Sequence, residues 1–223
     1  MISRLPRWVE YGAFILAMIA GTVNAVGLLG FTHQAISHLS GTATLIGASL
    51  SHVSLKESFH LFAILLSFML GAAFSGFFLR NRTLKLSRHY DFLLFTEGCL
   101  LLLSIWLLRE NYAAGHYTAS AACGLQNALA TTYSGAIIRT THMTGIFTDL
   151  GIMLGERLRQ KSFDKRKMIL FLLLISGFIS GGAIGTSLFT YFGFNALLMP
   201  ASLCFVLALS YRVYRNKMKR RRY

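Results

Sequence analysis

The chain has 223 residues, 54% of them hydrophobic and 13% charged, about half the charged share of an ordinary soluble domain. A bilayer crossing takes about 20 apolar residues, so repeated crossings occupy the length and no separate soluble domain fits. The net charge of +14 would suggest nucleic acid in a soluble protein, but Lys and Arg here fall in short clusters between apolar runs, the pattern of cytoplasmic loops, and no nucleic-acid partner is expected.

In chain order, apolar stretches long enough to cross cover residues 8–31, 57–79, 91–108, 114–138, 168–189 and 193–214. Two shorter ones, 41–53 and 145–158, reach about two-thirds of a crossing and are expected to enter the bilayer and turn back. The first run follows Arg4 and Arg7 as a signal peptide would, yet it carries half of an internal repeat and is expected to stay. With a cytoplasmic N-terminus and six crossings, twenty of the 22 Lys and Arg lie inside, leaving Lys56 and Arg109 outside. Eight crossings would fit that rule less well. Cys99, Cys123 and Cys204 sit in apolar runs without ligand or disulfide spacing, so no disulfide, metal or other cofactor is expected.

Residues 21–47 and 124–151 repeat a polar pattern inside apolar sequence. Gly21, Asn24 and Ala25 match Gly124, Asn127 and Ala128; after one inserted residue, His38, Ser40, Gly41, Thr44 and Gly47 match His142, Thr144, Gly145, Thr148 and Gly151. Farther on, Phe68, Gly71 and Ala73 match Phe178, Gly181 and Ala183. Each copy would hold three crossings, an odd number, so the second would start on the opposite side from the first. The expected fold is an all-α polytopic membrane protein, an inverted repeat of two units with six spanning helices plus two re-entrant half-helices. It forms one membrane domain over 1–223, with unit one at 8–110, unit two at 111–214 and a basic cytoplasmic tail at 215–223.

Ser40 and Thr144 each precede a glycine, Gly41 and Gly145, at the start of a short apolar helix, where a hydroxyl can cap orphan backbone N–H groups. Such helix starts suit an anion or polar solute; alternatively the hydroxyls only cap. Asn24 and Asn127, deep in apolar spans, either join helices or contact a polar solute. His38 and His142 can exchange a proton or stay neutral donors. Metal ligation by them would need help from His33 and Asp149, with no recognised spacing. Asp149, a carboxylate expected at depth with His142 or Arg139 as partner, marks an ion or proton pathway; Glu97 is expected to reach the cytoplasmic interface. Gly177, Gly181 and Gly185, and Ser67, Gly71 and Ser75, are expected packing ridges.

The repeated G-x-x-N-A and His-x-[Ser/Thr]-Gly patterns, the second reading HMTGIFTDLG at 142–151, resemble the YoaK family of bacterial inner-membrane proteins, a family of unknown function, across nearly the whole chain. The resemblance implies a transporter-like polytopic protein and supplies no substrate. The family pattern carries an acid at the position of Asn24 and Thr-Gly-Asn where this chain has Ser40, Gly41 and Thr42. That departure would put any proton coupling on Asp149, His38 and His142.

The expected function is secondary transport of a small polar or anionic solute across the bacterial inner membrane, both termini cytoplasmic. Asn24, Ser40, Gly41, Asn127, Thr144 and Gly145 would bind the solute, and His38, His142 and Asp149 would couple a proton. The lipid bilayer is the expected partner and a homo-oligomer stays open. No ATP-driven pump fits, since no Walker loop is present. No enzyme is expected either, although an intramembrane enzyme, a passive channel and a non-transporting scaffold remain the alternatives.

Overall fold

The structure, a computed structural model, describes residues 8–30, 36–51, 55–79, 89–134, 138–159 and 163–220. Arg4, Arg7, His33 and the basic cluster at 80–88 lie outside the described residues. The described residues form α1 (Trp8–Leu29), α2 (Leu39–Ser51), α3 (Leu55–Phe78), α4 (Tyr90–Arg109), α5 (Ala114–Ser134), α6 (Met143–Leu158), α7 (Lys165–Phe192), a 3-10 turn (Gly193–Leu197) and α8 (Leu198–Arg220).

Local chemistry explains the ends. Asp164 caps α7, its carboxylate accepting from the backbone N–H groups of Arg166 at 3.1 Å and Lys167 at 3.0 Å, which satisfies two of the helix's orphan donors. Asn111, at φ 58°, closes α4 in a Schellman arrangement, with Tyr112 N–H on Leu107 O at 2.9 Å and Asn111 N–H on Leu108 O at 3.1 Å. Gly193, at φ 57°, lets the chain leave α7 and turn into α8.

Among the described residues four helical stretches are long and apolar enough to cross a membrane: Trp8–Leu29, Leu55–Phe78, Tyr90–Arg109, and Lys165–Lys217, which holds α7 and α8. The sequence reading counted residues 114–138 among the crossings as well. Helix α5, 21 residues long, carries His116, Thr118, Ser120, Gln126 and Asn127 and is not apolar enough to stand among those four stretches. Its polar groups are tolerable because it packs against α3, α4 and α1, which removes them from lipid. The two short segments appear as separate helices of 13 and 16 residues, α2 on α3 and α6 on α7. Helix α8 runs past Tyr214 to Arg220, so no break separates a tail.

Two helix pairs carry the packing, α1 with α7 and α3 with α5. A Cβ on Gly21 would overlap the Phe178 carbonyl, and one on Gly181 the Met18 carbonyl; a Cβ on Gly124 would overlap the Phe68 carbonyl, and one on Gly71 the Ala121 carbonyl. Both pairs run parallel. Phe14, Met18 and Thr22 meet Gly177, Gly181 and Gly185 in turn, while His60, Ile64 and Phe68 meet His116, Ser120 and Gly124. Absent side chains let the backbones approach this closely. Buried hydroxyls add bonds across the same pairs: Thr22 donates to Gly181 O at 3.0 Å and Ser120 to Ile64 O at 2.9 Å. Helices α4 and α8 run antiparallel, with Asp91 on Arg215, Tyr90 on Tyr211 and Phe95 on Phe205.

Candidate functional site

Helices α4 and α5 pack closely, from Leu108 and Gly115 at one end to Tyr90 and Tyr133 at the other. Helices α1 and α8 touch only sparsely. A cavity of about 500 Å³ fills the difference, bounded by α1, α4, α5 and α8. Its wall is hydrocarbon and aromatic, and among the described residues no Lys, Arg, Asp or Glu lines it. Rings arc around it in series: Tyr214 to Trp8 at 6.4 Å, Trp8 to Tyr133 at 6.0 Å, and Tyr133 to Tyr90 and Tyr90 to Tyr211 at 5.8 Å each. Leu16, Leu94, Leu129 and Leu207 line its inner end.

A polar layer lies one helical turn beyond those leucines. Glu97 follows Leu94 on α4, Gln126 precedes Leu129 on α5, and Cys204 precedes Leu207 on α8. Glu97 is 1% exposed, and Gln126 and Cys204 are fully enclosed. The Cys204 thiol hydrogen-bonds the Glu97 carboxyl, with Cys123 nearby. Gln126 donates its amide to Leu16 O at 2.8 Å. Glu97 Oε2 and Gln126 Oε1 are buried without a hydrogen-bond partner, an expensive arrangement. The Phe205 ring lies against Gly98, the next residue on α4, 2.8 Å from where a Cβ would be.

The predicted site residues fall elsewhere. The Asp149 side chain is 45% exposed and pairs with Lys167 at 3.3 Å, not with His142 or Arg139. The reason is that α6 docks on the first turns of α7, at the end that also carries the Glu10–Arg166 and Asp91–Arg215 pairs. Glu97 does not reach the interface; it is the buried acid. Ser40 and Thr144 do not occupy the cap position, because α2 begins at Leu39 and α6 at Met143. His38 and His142 do, their carbonyls accepting from Thr42 N–H at 3.0 Å and Ile146 N–H at 3.2 Å. Both imidazoles lie over the helix starts, so that a Cβ on Gly41 or Gly145 would collide with its own histidine. This explains why His and Gly recur together.

Asn24 tethers the entry to α2, its Oδ1 accepting from Ser37 N–H at 3.0 Å and Ser37 hydroxyl at 2.9 Å. Asn127 Oδ1 is buried without a partner. The starts of α2 and α6 are held apart by their neighbours: α2 packs chiefly on α3 and α6 on α7, and most of each is exposed. The nine site residues are therefore not gathered into one pocket. Sequence reasoning also passed over His60, His116 and Tyr117, where His60 Nδ1 lies 2.9 Å from the Tyr117 hydroxyl and the two imidazoles meet edge-on at 5.7 Å. No group of three His, Cys, Asp or Glu among the described residues could hold a metal ion.

The described residues are all-helical, and several of their helices, packed through glycine faces, are long and apolar enough to cross a bilayer, as in a membrane protein. Residues 12–210 match the family described as a protein of unknown function (DUF1275), and the chain belongs to that family. The match brings no named relative to the YoaK resemblance. No curated protein and no solved structure matches the chain.

Proposed function

We propose that this protein is a carrier that moves a small solute across the bacterial inner membrane by alternating access. It is built as an inverted repeat with both termini cytoplasmic and with α2 and α6 re-entrant. The observation that carries the reading is the exchanged pairing of equivalent helices. Under the sequence repeat α1 corresponds to α5 and α3 to α7, so the α1–α7 pair maps onto the α5–α3 pair. The four glycine contacts map with it: Gly21 on Phe178 becomes Gly124 on Phe68, and Gly181 on Met18 becomes Gly71 on Ala121. Because the pairs are parallel, the two copies are oppositely oriented whenever α1 and α3 are antiparallel, as a three-crossing unit requires.

The same mapping relates α4–α5 to α8–α1, yet the first interface is closed and the second open. A scaffold with two equivalent gaps, one open at a time, is what alternating access needs. The cavity then serves as the cytoplasmic vestibule and the Glu97–Gln126–Cys204 layer as the central site. An intramembrane carboxyl of this kind is suited to coupling a proton; it is better enclosed than His38 and His142, which are exposed, or Asp149, which is half-buried.

Cysteine labelling in sealed vesicles tests the reading, in a background with the native cysteines replaced. Ser210→Cys, in the vestibule, is expected to react with an impermeant maleimide from the cytoplasmic side, and Ser104→Cys, fully buried at the closed interface, to react at least about a hundredfold more slowly. Lys56 should label from outside and Lys217 from inside. If both lysines label from one side, or if no condition ever exchanges the two cysteine reactivities, the alternating-access reading fails.

A further inference from the structure

The cavity has the wrong wall for a small anion. Among the described residues that line it there is no basic group, the neighbouring Arg215 is tied to Asp91 at 3.0 Å, and nearly every surface is hydrocarbon or ring. An anion entering it would lose its water and gain no partner. A cation that carries its own apolar bulk meets the opposite situation, because ring faces attract positive charge and hydrocarbon accepts the rest. The arc of Tyr214, Trp8, Tyr133, Tyr90 and Tyr211 supplies the rings from four helices. The volume, about 500 Å³, lies within the range of small-molecule sites, roughly 300–1,000 Å³.

The second observation is independent of the rings. One turn past the cavity's inner leucines lies Glu97, 1% exposed, with one carboxyl oxygen lacking a partner and, among the described residues, no Lys or Arg paired with it. A charge so enclosed is stable only when a positive charge comes close, since the low-dielectric surroundings strengthen that attraction. Aromatic walls with a buried acid one helical turn beyond their inner end complement a hydrophobic cation in shape and in sign.

We propose that the cavity between α1, α4, α5 and α8 binds lipophilic organic cations, with the aromatic arc holding the apolar body and Glu97 supplying the counter-charge. This narrows the substrate class of the carrier reading and rests on it for transport, while binding itself does not. As a binding site it revises the expectation of a small polar or anionic solute.

The test uses two ions of the same shape and opposite charge, tetraphenylphosphonium and tetraphenylborate, in equilibrium dialysis against the purified full chain in neutral detergent, with protein-free micelles as blank. Saturable phosphonium binding at least about tenfold tighter than borate binding is expected. Glu97→Gln should bring the phosphonium down to the borate level while borate binding persists, which also reports an intact cavity. Trp8→Leu and Tyr133→Leu should each weaken the phosphonium about three- to tenfold. Equal affinity of the two ions, tighter borate, no saturable phosphonium binding, or phosphonium affinity unchanged in Glu97→Gln would each overturn the proposal. Should Glu97→Gln lose both ions, Glu97→Asp decides: a retained cation preference supports the site and a lost one removes it. Selective binding by a chain whose two gaps never exchange would keep this site and discard the carrier; exchanging gaps without cation preference would do the reverse.

Discussion

Gly12 and Gly115 stand nine residues before Gly21 and Gly124, at the same place in the two copies, yet their surroundings differ. A Cβ on Gly115 would lie 2.5 Å from the Leu108 side chain, within the closed α4–α5 interface, whereas one on Gly12 would meet nothing within 4 Å, because Gly12 lines the cavity. The closed side is further held by Ser104, whose buried hydroxyl donates to Gly115 O at 2.7 Å. Similar sequence is thus compatible with two packings. The glycine that is crowded in one copy is free in the other, and the difference marks where the molecule has room to move.

The largest effect that would break this comparison lies in the parts the two copies share. Gly124→Leu, forced against the Phe68 carbonyl, should cost about 3 kcal/mol or more, since backbone cannot yield as a side chain can; thermal unfolding followed by exposure of Cys123 and Cys204 to a thiol dye measures it. Next comes the equivalent pair itself. Gly115→Leu should destabilise by about 1–3 kcal/mol, while Gly12→Leu should be neutral or stabilise by about 0.5–1 kcal/mol through helix propensity. Equal losses in the same assay would mean that the α1–α8 gap is closed in the membrane. Ser104→Ala should lower stability by about 1 kcal/mol through its lost bond, and a shift toward reactivity of cysteines at the closed interface would sharpen the assignment. The smallest change is expected from Lys167→Gln, within about 0.5 kcal/mol, because its partner Asp149 is nearly half exposed; a large loss of flux in this variant would return Asp149 to the centre of the mechanism.

Much of the helix order was legible in the sequence because apolar runs, charges and turn residues coincide with the ends: Asp164, Asn111 and Gly193 each stand where a helix starts or stops. The polar residues that recur in order are visible there too. Burial was not. Counting residues along an element placed Asp149 inside and Glu97 near the surface, but burial depends on which neighbours cover a side chain. Cys204 comes from α8, over a hundred positions away in the chain from Glu97. His38 and His142 recur in the sequence, and their contact with Gly41 and Gly145 gives that recurrence a packing cause that spacing alone does not disclose. The aromatic arc gathers Trp8, Tyr90, Tyr133, Tyr211 and Tyr214 from four helices, and no local pattern announces it.

The interlocking of α1 with α7 and of α3 with α5 has a genetic corollary. Neither half of the gene encodes a complete rigid body, because each tight pair draws one strut from either side of the turn at Asn111. Two polypeptides divided at that turn should be unable to mature separately, and should recover a folded protein when made together in one cell.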